Sequence, residues 1–129
     1  MKFILTTTIS SIFIITFFPA SPALAGGDAA NGEALFKEKK CHLCHNLTDQ
    51  SKVGPGLKGD TKRHTTEWLT RWLGDPQKVW EENDADIQKL KTWSSGRESD
   101  PKTKMRIKKL NDQEIADLIA FLIKNDETE

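Results

Sequence analysis

The sequence predicts an all-α domain: a few helices and long loops packed around something besides their own side chains. Three observations lead there. Apolar residues recur three and four apart in several segments, the helical spacing. No segment alternates with the two-residue period of a half-buried strand. Between 26 and 129, only 32 of 104 residues are apolar. That is thin for a self-sufficient core in so small a domain, and points to a metal, a crosslink or a cofactor. Two cysteines exclude a multi-disulfide scaffold.

The elements follow in chain order. A first helix is expected over 28–39, with Asp28 as N-cap and Ala30, Ala34 and Leu35 on one stripe. Residues 46–59 read as a loop, marked by Gly54-Pro55-Gly56 and Gly59. Thr65 or Thr66 caps a short helix over 67–73, closed by Gly74-Asp75-Pro76. Residues 77–90 carry a helical pattern that Glu81-Glu82-Asn83-Asp84 interrupts. Residues 94–104 are polar and loop-like. Asn111 or Asp112 caps a last helix reaching about residue 124, its buried face formed by Ile115, Leu118, Ile119 and Leu122. The final three residues should fray.

The start of the chain has a different character. Lys2 is the only charge in the first 25 residues, and an apolar, Thr/Ser-rich run follows it. Ala23-Leu24-Ala25 fits the small-x-small rule of signal peptidase. Residues 1–25 are therefore expected to be a cleaved signal peptide and 26–129 one domain, exported to the periplasm. A retained membrane anchor is the alternative, but the run is short and diluted for a span of about 20 residues. Residues 26–129 hold 18 basic and 19 acidic side chains, a formal net charge of −1. That near-neutrality argues against a nucleic-acid binder.

Cys41-His42-Leu43-Cys44-His45 is the one segment whose spacing dictates a chemistry. Cys-x-x-Cys-His is the attachment sequence for c-type haem. Two thiols one turn apart can add to the two vinyl groups on one porphyrin edge, and the adjacent histidine reaches the iron. A thioredoxin-like dithiol would need a strand-rich context. A zinc site would need two more ligands, for which only His42 and His64 stand available. A plain disulfide has no use for the histidine. One motif implies one covalent haem per chain, held through Cys41 and Cys44, with His45 on the iron.

Several stretches together resemble the small mono-haem class I cytochromes c of bacteria. The attachment motif stands near the N-terminus, and Gly32 and Phe36 precede it at the family's spacing. Val53-Gly54-Pro55-Gly56-Leu57 resembles the family's loop after the motif, Thr103-Lys104-Met105 its distal methionine segment, and 111–122 its C-terminal helix. Trp68-Leu69-x-x-Trp72-Leu73-x-Asp75-Pro76 also occurs in many bacterial members. The charged insert 81–100 departs from the pattern. The resemblance implies a class I cytochrome c fold, with Met105 as sixth ligand opposite His45. Besides the initiator, Met105 is the only methionine, and methionine paired with histidine raises the potential of a haem. His64 is the rival ligand, read otherwise as a surface-loop residue. Pro55 is implied to accept, through its carbonyl, the bond that orients His45. Gly32 and Phe36 should meet Leu118 and Phe121 where the first and last helices cross. Trp68 and Trp72, four apart, should wall the porphyrin, and either Trp80 or Trp93 could donate to a haem propionate.

Lys102, Lys104, Arg106, Lys108 and Lys109 place five cations around Met105 without an acid. Lys37, Lys39 and Lys40 are expected across the cleft. Such a rim would steer encounter with redox proteins that present acidic faces. The expected function is a soluble periplasmic one-electron carrier, not an enzyme. It has no small-molecule substrate, no nucleic-acid partner and no stable membrane insertion after cleavage. Two alternatives remain at this stage. One is a haem-based gas-binding or sensor protein with an open sixth position. The other is an electron-transfer subunit of a larger oxidoreductase, docked through the insert.

Overall fold

The computed structural model describes residues 26–128. The expected signal peptide, 1–25, lies outside them. Among the described residues six helices occur in this order: α1 (Ala29–Glu38), α2 (Asp60–Arg63), α3 (Thr66–Gly74), α4 (Pro76–Glu82), α5 (Ala85–Thr92) and α6 (Asp112–Glu127). A 3₁₀ turn, Cys41–Leu43, follows α1. No strand occurs among the described residues. The helices begin where side-chain oxygens meet free amides. Asp28 accepts from the N–H of Ala30 at 2.8 Å, Thr65 from that of Trp68 at 3.1 Å, and Asp75 from that of Lys78 at 3.0 Å. At α6, Asn111 and Glu114 exchange bonds of 2.9 Å in a capping box.

Two expectations change here. The segment 77–90 is two helices, because Asn83 takes a left-handed conformation (φ 53°) that ends α4, and Asp84 then caps α5 through the N–H of Ile87 at 2.8 Å. Asparagine tolerates that region better than most residues. The last helix also runs on to Glu127 rather than fraying there. One turn of helix, α2, was not anticipated; four residues carry too little periodicity to see.

The core forms where α1, α3 and α6 meet. Phe36 and Phe121 pack with ring centroids 5.6 Å apart and planes tilted by 53°. Gly32 sits directly against the backbone of α6. A Cβ there would overlap the Asp117 carbonyl and the Phe121 Cβ, so glycine sets how closely the helices approach. Leu35, Leu69, Leu73, Ile115, Leu118 and Ile119 complete this apolar centre, while Ile123 points outward.

Polar groups inside the fold tie α6 to the start of α1 and to the segment 58–61. Asp117 is buried and accepts from the Asp28 N–H at 2.7 Å, from the Gln113 amide at 2.8 Å and from the Asn31 amide. Asp126, also buried, accepts from the N–H of Gly59 at 2.6 Å and from Thr61 N–H and Oγ1 at 2.9 and 2.7 Å. Lys58 caps the same end of α6 by donating to the Asn125 carbonyl at 2.8 Å. The long loop 46–59 is thereby pinned at its exit.

Candidate functional site: a walled cavity behind the paired cysteines

One cavity collects most of the residues singled out from the sequence. Cys41, Cys44, His45, Pro55 and Met105 all line it, as do Trp68, Trp72, Trp80 and Trp93. Its open space is about 250 Å³.

The attachment segment is positioned by the end of α1. Lys40 adopts a left-handed conformation (φ 62°), turning the chain sharply into Cys41–Leu43. The N–H groups of Cys44 and His45 both donate to the Cys41 carbonyl, at 3.1 and 3.0 Å. This one turn brings both cysteines and His45 to the same wall. Both thiols are free; Cys41 is half-buried and Cys44 exposed. Burial pushes the Cys41 thiol above its usual range.

The loop after the motif sets the imidazole. His45 Nδ1 lies 2.8 Å from the Pro55 carbonyl. With Nδ1–H donating there, Nε2 is left as the ring's free lone pair, the form in which imidazole binds a metal. Gly54 makes this possible, because a Cβ there would overlap His45 Cε1 and crowd both ring nitrogens. The Gly54 N–H donates to the Cys44 carbonyl at 2.8 Å, closing the loop onto the motif.

Met105 is half-buried against the core. Its N–H donates to Thr103 Oγ1 at 3.1 Å, and the Thr103 N–H donates to Gln77 Oε1 at 3.1 Å. Gln77 also donates to the Pro101 carbonyl at 3.2 Å, and the Trp80 indole to the Asp100 carbonyl at 2.8 Å. Helix α4 thus grips the segment that carries Met105 from one side. Gln77 has no signature in the sequence, since a polar residue on a helix gives no clue that it spans to a loop. The Trp80 indole is consumed by that backbone bond. Of the two tryptophans considered for a propionate, Trp93 is the one whose indole makes no hydrogen bond within the described residues.

Trp68 and Trp72 stack with centroids 5.4 Å apart and planes 14° from parallel. His64 stacks on the other face of this pair, 4.3 Å from Trp68. Its side chain is only 8% exposed and lines the cavity. The expectation of a surface-loop histidine is therefore wrong. The turn of α2 carries the ring inward, and that turn is what the sequence concealed. His42 is exposed. The insert 81–100 turns several of its side chains inward. Asp84 accepts from the Trp68 indole at 3.0 Å, Asp86 lies 3.3 Å from His64, and Arg97 stacks over Trp80 at 5.4 Å while lining the cavity. Lys40, Lys104 and Arg106 also line the cavity, as does Lys39, which pairs with Glu114 at 2.8 Å. Lys37 instead pairs with Glu33 at 2.8 Å.

These residues fit a haem. The cavity is flat-walled by stacked indoles, two free thiols stand on one side, and an imidazole with a free nitrogen is locked beside them. Two buried nitrogens, His64 Nδ1 and Arg97 Nε, find no hydrogen-bond partner among the described residues. Both belong to the cavity wall, which suits an acidic ligand.

Comparison with known proteins agrees. The family model for cytochrome c matches residues 29–125. Cytochrome c2 of Rhodospirillum rubrum is 34% identical over 127 residues, covering 88% of this chain and 92% of its own. An engineered cytochrome c from Rhodothermus marinus, solved with a carbene intermediate, is similar with a TM-score of 0.60, covering 78% of each chain. At 22% identity that likeness is one of fold. The chain belongs to the cytochrome c family, the electron-transport proteins that carry a covalently bound c-type haem.

Proposed function

We propose that the chain is a soluble periplasmic one-electron carrier whose single haem is held by Cys41 and Cys44, with His45 and Met105 as axial ligands. The observation that carries this reading is that both thiols, the locked imidazole and the molecule's one non-initiator methionine line a single cavity. Haem bound there supplies a one-electron couple between ferric and ferrous iron.

The chain's own residues do the rest. Pro55 holds the His45 ring in one tautomer and one orientation, which keeps Nε2 available. The α4 clamp on residues 100–103 limits how far Met105 can drift. Trp68, Trp72 and Trp80 exclude water from the walls, and such apolar shielding is itself a lever on potential. A site held rigidly in both oxidation states reorganises little when the electron moves. Residues 26–129 act after removal of 1–25. Among the described residues, no helix is long and apolar enough to cross a membrane. Lys104 and Arg106 at the cavity mouth, together with Lys102, Lys108 and Lys109, suit redox partners with acidic faces, a match that acts mainly on the rate of encounter. No substrate is transformed in this reading.

The optical spectrum tests the ligand set. The ferric protein should show the weak long-wavelength band of sulfur–iron ligation, and the ferrous protein should refuse carbon monoxide. Met105→Ala should abolish the band, open the site to carbon monoxide and lower the potential. A spectrum unchanged by that substitution would transfer the sixth position to another group. Ready carbon monoxide binding by the unaltered protein would favour a gas-binding role instead.

A further inference from the structure

The segment that carries Met105 has an outer side that the fold leaves unpartnered. From Met105 to Asn111 the chain forms neither helix nor turn. Exposure alternates along it: Lys104, Arg106 and Lys108 are exposed, whereas Met105 and Ile107 pack against the core. That two-residue period belongs to an extended, half-buried chain. Among the described residues no strand lies beside it. Of the backbone N–H and C=O groups of residues 104–110, only the Met105 N–H makes a hydrogen bond within the described residues, and its acceptor is a side chain, Thr103 Oγ1.

The outward row is a comb of cations. In extended chain, side chains on one face stand about 7 Å apart. Lys104, Arg106 and Lys108 form no ion pair among the described residues, nor do Lys102 and Lys109 beside them. Elsewhere the pattern is the reverse: Lys37, Lys39, Arg63, Arg71 and Lys89 each face a carboxylate.

We propose that residues 104–110 are a docking edge for an extended acidic segment of a protein partner. That segment adds to the edge as a strand, backbone to backbone, and its alternate carboxylates meet Lys104, Arg106 and Lys108. That the partner is a redox protein rests on the carrier reading.

Each feature of the occupant follows from the edge. Backbone pairing requires an extended chain, because a helix spends its own N–H and C=O groups internally. The carboxylates must alternate, because side chains directly opposite each other across two strands share one face. A second copy of the same edge is a poor occupant, since it sets cations against cations. Lysines along an exposed edge guard against such self-pairing. The edge therefore repels its own kind and admits an acidic strand. Its position gives the contact a use. Lys104, Met105 and Arg106 all line the cavity behind the cysteines, so a strand laid here passes beside the cofactor's wall. Charge alone acts mainly on the rate of encounter. Backbone bonds add one register and one orientation, and so one distance for the electron to cross.

The test uses the full haem-loaded protein and a synthetic peptide that alternates glutamate with threonine. At low salt the peptide should bind, and backbone amides within 104–110 should exchange with solvent about tenfold more slowly. Two alternately N-methylated forms of the peptide keep its charges but each lose one set of donors. One of the two should bind about tenfold more weakly. Lys108→Glu should weaken binding of the unmodified peptide several-fold while the haem spectrum stays the same. Equal binding by both N-methylated forms, or amides of 104–110 that exchange alike with and without peptide, would overturn the proposal and leave a contact of charge only. So would equal protection of these amides by vesicles of anionic lipid, or a dimer of the protein alone in which they are already protected. If Lys108→Glu fails to accumulate, the peptides on the unaltered protein decide. A protein with no reversible one-electron couple would overturn the carrier reading, while the exchange measurement would still decide the edge.

Discussion

At the scale of single residues, the site divides by how local its cause is. Cys41, Cys44 and His45 were legible because covalent attachment fixes their spacing within five residues. Pro55 was legible only through resemblance, and the 2.8 Å contact with His45 gives it a physical reason. His64 and Gln77 were not legible. Gln77 finds its partners in the loop 100–103, and His64 is turned inward by α2 between Trp68 and Asp86, and neither residue type announces that. Gly54 lies between these cases: it reads as a turn residue, yet its want of a side chain is what admits the His45 ring. Gly54→Ala should force the imidazole away from the Pro55 carbonyl. Overpacking of this kind costs about 1–3 kcal/mol, and a displaced ring should also alter the haem spectrum. Calorimetry and optical spectra of the variant measure both effects. A stable variant with an unaltered spectrum would mean that the loop yields without moving the ring.

At the scale of elements, helices were read well and their inward turns poorly. Caps at Asp28, Thr65 and Asn111 are short-range signals, and each stands where a helix begins. The insert 81–100 looked like an acidic surface because its charges dominate its composition. In the fold, Asp84 and Asp86 serve Trp68 and His64, and α4 turns a polar side and an indole toward residues 100–103. Helix α4 is therefore the second half of the Met105 support. Gln77→Ala removes the acceptor for the Thr103 N–H and the donor to the Pro101 carbonyl. Such bonds contribute about 0.5–1.5 kcal/mol each. The global melting temperature should drop modestly. If Met105 holds the iron as proposed, the long-wavelength sulfur–iron band should disappear at a distinctly lower temperature than the helices melt, because the loop loosens before the core does. Following the band and the helical circular dichroism on one heating ramp separates the two events. Coincident loss, shifted no further than in the unaltered protein, would place the support for Met105 elsewhere.

For the whole molecule, α6 is the member on which the other parts converge, and two of its buried groups are acids. The amphipathic reading gave α6 only an apolar face and assigned no role to Asp117 or Asp126, since a carboxylate in a helix is normally a surface residue. They are internal because they bind backbone. The Asp28 N–H, followed by the Asn31 and Gln113 amides, holds the Asp117 carboxyl below the usual carboxylate range. Burial works against the charge of Asp126, but bonds from Thr61 and from the Gly59 and Thr61 amides outweigh it and lower that carboxyl too. A carboxyl depressed in the folded state binds its proton more tightly when unfolded. Its stabilisation is complete above the unfolded value, near pH 4, and disappears as pH falls through the folded value. The melting temperature should thus be level from about pH 7 down to about pH 5 and then decline steeply. Asp126→Asn should lower the plateau, because an amide accepts fewer bonds from Gly59 and Thr61, and should make the acid decline shallower. Asp117→Asn should do the same at the other end of α6. If the acid limbs of both variants run parallel to that of the unaltered protein, the protons that unfold the chain bind elsewhere, and α6 is held chiefly by its apolar face.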